Sequence, residues 1–430
     1  MQALLSFDQS PPLSAPVRFF LTAPLYLVLA GLLAAFEGEA LLASRWTPVA
    51  LAMTHLLTLG FMLQVMLGAL IQILPVLAGA NLPRPLLVAG LLHPVLNLGT
   101  LLLVAGFLLG SALAMQIAAW LLSLAVGIFL LPAAWALFGV PSTSPSIRAL
   151  KLSLVALLVT VGLGVYLLLG LANGWALPVR DLTNLHAAWG LGGWSGILLA
   201  AVAYVVVPMF QLTPGYPARA AWWFPLGVLL ALLLRSLSLL ATTEWLLHPA
   251  LFLLGASGVA FVWQTLRLQR LRRRARADAT LRYWQLGLWS SLLALFMLML
   301  QSLIPAVAAY VAWNLVFGVL ILLGGFCAFI IGMLYKIVPF LLWLALQNLA
   351  PPGKLPPAMS RLLSEAEMQR QMWSFFVAFL LSTAAVFFSP WLSGAAGVAL
   401  AVSGLWLGWN LRQAVLRYRQ CRTEFKTRGA

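Results

Sequence analysis

The chain has 430 residues and a formal net charge of +16, with 63% hydrophobic and only 8% charged residues. This composition excludes an ordinary soluble domain, because soluble proteins carry about three times as many charged residues. Apolar runs of about 20 residues, the length that crosses a bilayer, recur along the whole chain. We therefore predict an all-α polytopic membrane protein whose principal partner is the lipid bilayer.

The apolar runs predict twelve transmembrane helices within a single membrane domain, residues 1–430. The predicted spans are residues 18–42, 50–78, 85–109, 111–138, 148–171, 183–210, 219–241, 244–267, 283–308, 311–345, 371–392 and 394–416. A proline-containing linker at 346–370 separates the tenth and eleventh spans and ends in a short polar helical start.

Basic residues fall on one side of the membrane if these spans alternate in direction. That side receives the loops after every even-numbered span, including the basic loop 268–282, and the tail 417–430. The opposite side receives only Arg45 and Arg180. By the positive-inside rule both termini are cytoplasmic, and we expect location in a bacterial inner membrane. The positive charge then reflects topology and not a nucleic-acid partner. The basic loop either retains its segment in the cytoplasm, the role we favour, or attracts anionic lipid head groups.

A pattern of small residues followed by proline occurs three times. The first glycine lies 15 residues before the proline, and a second small residue lies 7 before it, so all three positions share one helical face. The pattern predicts three four-helix repeats, at about 17–140, 145–270 and 280–416, in a pseudo-threefold bundle. Its copies are Gly60, Gly68 and Pro75; Gly193, Ala201 and Pro208; and Gly324, Gly332 and Pro339.

Ionisable groups inside a membrane are candidates for function, because burying them is costly. A neutral imidazole is a common ligand for haem iron and copper, but it also serves as a hydrogen-bonding group between helices. We predict a structural role for His93 in span three. The candidates for cofactor binding lie near the outer ends of the spans and are His55, His186, His248 and Arg235, with His55 and His186 as candidate metal ligands.

The helical wheel relates these candidates to the small-residue face. His186 lies 7 residues before Gly193 and shares its face. His55 lies 5 residues before Gly60 and points about 140° away, at about 100° per residue. Arg235 has two expected partners: a haem propionate, or one of the acidic residues Glu37, Glu39 and Glu244.

Four local sequences are distinctive: Thr54–Gly60, His186 through Gly193-Trp194, Val207–Phe210 and Gly332–Phe340. They resemble the catalytic subunit of the haem–copper oxidase superfamily and look like subunit I-like relatives of the C-family cytochrome c oxidases and nitric oxide reductases. The resemblance implies that His55 binds haem b and that His186 binds copper or non-haem iron. It also implies oxidoreductase activity, an electron donor such as cytochrome c or quinol, and oligomers or association with respiratory subunits.

The chain departs from that family at its remaining ligands. The family has two histidines in span ten, where this chain has none and reads Trp343-Leu344-Ala345. Span seven offers Arg235 in place of a histidine. The first hypothesis is therefore a haem b-binding redox or gas-responsive membrane protein, with copper as a second candidate cofactor. The alternative is a cofactor-free membrane scaffold, a transporter, an assembly factor for respiratory complexes, or a haem or copper handling protein.

Overall fold

The computed structural model describes residues 6–274, 276–350, 356–388 and 391–427. Parts of the predicted linker (351–355), of the basic loop (275) and of the tail (428–430) lie outside these ranges. The protein is 87% helical, and the described residues contain no strand. This confirms the all-α class. Helices satisfy every backbone hydrogen bond within one segment, which a bilayer requires.

Twelve helices in the described ranges are long and apolar enough to cross a membrane. They confirm the predicted number and order of spans, and the protein is a multi-pass membrane protein. They are α1 (Ser14–Ala43), α2 (Pro48–Ala78), α3 (Pro85–Leu109), α4 (Ala112–Phe138), α5 (Pro145–Asn173), α6 (Val179–Gln211), α7 (Ala221–Leu240), α8 (Glu244–Arg270), α9 (Ala279–Leu303), α10 (Val311–Gln347), α11 (Glu365–Phe388) and α12 (Leu392–Glu424).

Three of these helices have a short polar N-cap residue. The hydroxyls of Thr47, Ser111 and Ser144 each accept a hydrogen bond, at 3.1–3.3 Å, from the backbone N–H three residues later. A proline follows Thr47 and Ser144 at the first helical position. Proline has no N–H to leave unpaired there, so each start combines a capping side chain with a preset backbone angle.

Two helix boundaries differ from the prediction for local reasons. Helix α9 ends at Leu303, before the predicted residue 308, and a 3-10 turn follows at Pro305–Ala309. The residue before a proline disfavours helical angles, and Ile304 has φ −127° and ψ 80°. Helix α11 begins at Glu365 because Ser364 and Glu367 form a reciprocal capping box, with bonds of 2.9 and 3.3 Å.

Helices α2, α6 and α10 each contain an eight-residue π-helical stretch: Leu56–Leu63, Trp189–Gly196 and Leu320–Cys327. The repeat proline lies 12 residues beyond the end of each stretch (75−63, 208−196, 339−327). The first repeat glycine is the fifth residue of each (60−56, 193−189 and 324−320 are all 4). π-helix is rare, well below about 1% of residues, so three stretches in one register set these helices apart.

The π-helical stretch in α2 changes the geometry expected for His55. The predicted angle of about 140° between His55 and Gly60 assumed α-helical rotation throughout. Residues 56–60 are π-helical, with wider i to i+5 turns, so that angle does not hold. His55 is the last residue of the α-helical segment before the stretch.

The described chain divides into two compact units by internal contacts. The first unit contains residues 1–10, 72–275 and 288–321, and the second contains 11–71, 276–287 and 322–430. The second unit includes both α1 and α12, although they lie at opposite ends of the chain.

Small residues on the repeated face lie against neighbouring helices, as expected for membrane packing. In the second unit, a Cβ added to Gly60 would collide with the Tyr26 ring. A Cβ at Gly332 would approach the Cβ of Tyr283 to 2.8 Å. In the first unit, a Cβ at Gly193 would lie 3.0 Å from Ala156 of α5. Glycine at these positions therefore allows close approach between helices.

Helices α1 and α12 make the closest backbone approach described in the second unit. A Cβ added to Gly31 would collide with the backbone of Ala401. A Cβ added to Gly397 would collide with the backbone nitrogen of Ala35. Because backbone atoms cannot rotate away, only glycine fits at these two positions.

We expect Gly397→Ala to lower stability by about 1–3 kcal/mol, the usual cost of overpacking. Its helix-matched control is Gly394→Ala, where the nearest atom, the Ala35 carbonyl oxygen, is 3.8 Å from the added Cβ. The control should be neutral or stabilising by up to about 1 kcal/mol, since alanine favours helix. Thermal unfolding of both variants in detergent measures the difference. An equal shift in both would contradict the close contact.

Candidate functional site

His55 is held by a hydrogen bond within its own helix. Its Nδ1 lies 2.8 Å from the carbonyl oxygen of Leu51, one turn earlier in α2. A carbonyl can only accept, so Nδ1 donates and, in the neutral ring, Nε2 carries the lone pair. The ring is half-buried and lies directly before the π-helical stretch Leu56–Leu63. A histidine that ligates a metal commonly has its second nitrogen anchored in this way.

His186 is held across two helices. Its Nδ1 lies 2.9 Å from the carbonyl oxygen of Thr160 in α5. The ring packs beside Gly164, where an added Cβ would lie 2.9 Å from Cε1. Thr160 in turn donates its hydroxyl to the Ala156 carbonyl, at 2.7 Å. His186 therefore joins α6 to α5, as an interhelical hydrogen-bonding group does.

Arg235 joins α7 to α6 through an ion pair with Asp181. Its Nη2 lies 3.5 Å from Asp181 Oδ1, and the carboxylate partner is none of the three expected acidic residues. Arg235 is only 7% exposed, whereas the Asp181 side chain is 53% exposed. The adjacent Ser236 accepts a 3.1 Å hydrogen bond from Trp189 Nε1. These two contacts fix the first part of α6 against α7.

His248 and His93 have different surroundings. His248 is half-buried in α8, and its Nδ1 is buried without a hydrogen-bond partner among the described residues. His93 is half-buried in α3, and its backbone carbonyl accepts a 2.6 Å hydrogen bond from the Asn97 amide. Pro94 follows His93 and has no N–H, which relaxes the hydrogen bonding of this helical turn.

The described residues contain no group of three or more His, Cys, Asp or Glu side chains placed to hold a metal ion. A copper centre with three such ligands therefore does not fit them. His55 lies in the second unit and is the only histidine of that unit's residues; His186 and His248 lie in the first. Within the second unit, the imidazole of His55 is therefore the side chain that would hold a haem iron.

A buried polar network in the second unit was not predicted from the sequence. Gln371 is fully buried in α11, and its Oε1 accepts hydrogen bonds from the hydroxyls of Tyr283 (2.6 Å) and Tyr335 (3.0 Å). Its Nε2 donates to Ser403 Oγ at 3.0 Å, and Asn410 donates to the Tyr335 hydroxyl at 3.0 Å. One amide thus connects α9, α10, α11 and α12. The sequence feature that could have indicated this network is the presence of polar residues in otherwise apolar spans.

Two ion pairs accompany this network. Lys336 Nζ lies 2.8 Å from Asp278 Oδ2, and Arg417 Nη2 lies 2.6 Å from Glu367 Oε1. Asp278 also caps α9, because its Oδ1 accepts the N–H of Leu281 at 2.8 Å. Lys336 is therefore neutralised by a carboxylate inside the protein, in addition to its position near a helix end.

No family model matches this chain, and no curated protein sequence matches it. The function of the protein is therefore inferred from its residues and their contacts.

We expect Gln371→Leu to lower stability by about 2–4 kcal/mol, because each buried polar group left without a partner costs about 1–3 kcal/mol. Tyr283→Phe removes a single hydroxyl of the same network and should cost about 1 kcal/mol. Thermal unfolding in detergent compares the two variants. Equal losses would argue against Gln371 as the shared acceptor.

Glycine 164 allows a direct test of the position of His186. Gly164→Ala would press the added methyl group against the imidazole, so we expect a loss of about 1–2 kcal/mol. Gly162→Ala is the matched control on the same helix, because no atom lies within 4 Å of its added Cβ. Combining Gly164→Ala with His186→Ala should relieve the loss. A loss that persists without the imidazole would contradict the contact.

Proposed function

We propose that the protein is a haem b-binding redox or gas-responsive membrane protein in which the imidazole of His55 would hold the haem iron. The observation that carries the proposal is the 2.8 Å hydrogen bond from His55 Nδ1 to the Leu51 carbonyl. This bond orients the ring and selects the tautomer with the lone pair on Nε2. When bound, haem iron with one imidazole ligand supplies a site for a diatomic gas or for one electron.

The residues around His55 suit such a role. Leu56 and Leu57 follow it directly and are 3% exposed each, which excludes water from this side of the helix. Thr54 Oγ1 donates to the Ala50 carbonyl, and Thr58 Oγ1 to the Thr54 carbonyl, both at 2.8 Å. These hydroxyls are hydrogen-bonded within α2, so His55 is the side chain of this turn whose chemistry suits a metal.

The relation to the haem–copper oxidase superfamily is part of this proposal. Three π-helical stretches in one register with the repeat glycine and proline support three four-helix repeats, as that family has. The distribution of basic residues supports cytoplasmic termini and a bacterial inner membrane. Cytochrome c or quinol is the proposed electron donor, with respiratory subunits as candidate partners. The missing span-ten histidines favour gas or electron binding over full catalysis.

A cofactor-free scaffold, such as an assembly factor, is the second candidate. The observation that favours it is the use of polar side chains to join helices. His186 binds Thr160, Arg235 pairs with Asp181, and Gln371 connects four helices of the second unit. Under this second proposal the protein keeps the helical fold of the superfamily without its cofactors, and the buried polar side chains hold the helices together.

The two candidates are separated by the visible spectrum of the detergent-purified protein, produced in cells supplied with haem. We expect a Soret band and a reduced α-band typical of haem b, with about one iron per chain. His55→Ala should abolish both, whereas His93→Ala should retain them. Carbon monoxide should shift the reduced spectrum, because a single axial imidazole leaves one iron position open to a gas.

Loss of haem in His55→Ala must be distinguished from loss of folding. Size-exclusion profiles and thermal unfolding of the variant check the fold. Added imidazole should restore the Soret band to His55→Gly by entering the vacated space. A protein with no Soret band and no iron would overturn the haem proposal and favour the scaffold.

A further inference from the structure

Three arginines at one end of the helix pair α7 and α8 have no side-chain partner among the described residues. The side chains of Arg219, Arg267 and Arg270 are exposed and have no hydrogen bond, ion pair or ring contact with any described residue. Two other basic side chains of the first unit have partners within the protein. Arg148 lies 3.5 Å over the Trp222 ring, and Lys151 donates to the Val140 carbonyl at 2.6 Å.

Helices α7 and α8 carry no carboxylate at this end. Between Gln211 and Arg274 the sequence contains one acidic residue, Glu244, and it lies at the opposite end of the two helices. Asp278, further along the loop after α8, pairs with Lys336. Four exposed arginines, Arg219, Arg267, Arg270 and Arg273, leave a concentrated positive surface.

The surface is fixed in place by the surrounding backbone and amides. The backbone N–H of Arg273 donates to the Leu212 carbonyl at 3.0 Å, which ties the loop after α8 to the end of α6. Gln269 Nε2 donates to Gln211 Oε1 at 3.0 Å, one turn deeper. The inner halves of α7 and α8 are neighbours, because the Phe224 and Phe261 rings stack 4.8 Å apart.

An exposed tryptophan accompanies the arginine on each helix. The helix of α7 begins at Ala218, one turn before the apolar span, and therefore includes Arg219. Trp223 lies four residues after Arg219, and Trp263 lies four residues before Arg267. They are 71% and 61% exposed, respectively. Residues four apart share a helix face, so each helix presents an arginine and, one turn further into the membrane, an indole. Exposed tryptophan marks the boundary between acyl chains and head groups.

We propose that Arg219, Arg267 and Arg270, with Trp223 and Trp263, form a binding site for the phosphate groups of an anionic phospholipid. The guanidinium fork matches phosphate oxygens, and the indoles lie at the level of the lipid glycerol and upper acyl chains. A zwitterionic lipid carries a cation that these unpaired arginines repel. The proposal is independent of haem binding.

Native mass spectrometry of the purified full-length protein with added phosphatidylglycerol, cardiolipin or phosphatidylcholine tests the site. We expect tighter binding of the two anionic lipids than of phosphatidylcholine. The triple variant R219Q/R267Q/R270Q should weaken binding of the anionic lipids about tenfold or more, since each arginine near a membrane surface contributes about 1 kcal/mol. Trp263→Leu should weaken it about two- to threefold.

The matched control is R412Q/R419Q/R422Q, which removes the same charge from exposed arginines of α12. It should change lipid binding less than twofold. Equal losses in both triple variants would mean nonspecific charge attraction and would overturn the site. Displacement of the lipid by inorganic phosphate at constant ionic strength would mean a free-phosphate site instead. If R219Q/R267Q/R270Q inverts the topology of a reporter fusion while the purified protein binds lipid normally, the arginines act in insertion only.

Discussion

The bilayer provides no water to satisfy polar groups, and this constraint governs the whole structure. It explains why the described chain is helical nearly throughout, and why polar side chains inside the spans bind one another or nearby carbonyls. The Gln371 amide is the clearest case, because it accepts two tyrosine hydroxyls and donates to Ser403. A lipid-facing amide would have none of these partners, so the network requires four helices to be in contact.

The same constraint makes the π-helical stretches informative. A π-helical turn keeps its backbone bonds within the segment but alters the direction of the side chains before it. His55 and His186 both lie just before such a stretch, and both have Nδ1 on a backbone carbonyl. They differ in where that carbonyl lies. The carbonyl beside His55 belongs to its own helix, whereas the carbonyl beside His186 belongs to α5, so the hydrogen bond of His186 connects two helices.

Hydropathy was sufficient to predict the twelve spans, because bilayer thickness determines their length. It could not predict the end of α9, which Pro305 determines, or the start of α11, which depends on the Ser364–Glu367 capping box. It also could not identify Asp181 as the partner of Arg235, since that choice depends on how α6 packs against α7. The Gln371 network was beyond sequence reasoning because its partners lie 32 to 88 residues away. The π-helical stretches have no hydropathy signal.

The glycine contact between α1 and α12 has a consequence for biosynthesis. Gly31 and Gly397 are 366 residues apart (397−31), so α1 enters the membrane long before its neighbour exists. At about 5–20 residues per second, the ribosome needs roughly 20–70 s to make the intervening chain. During that interval the glycine face of α1 has only lipid or the insertion machinery against it. The second unit therefore closes only after α12 has been translated.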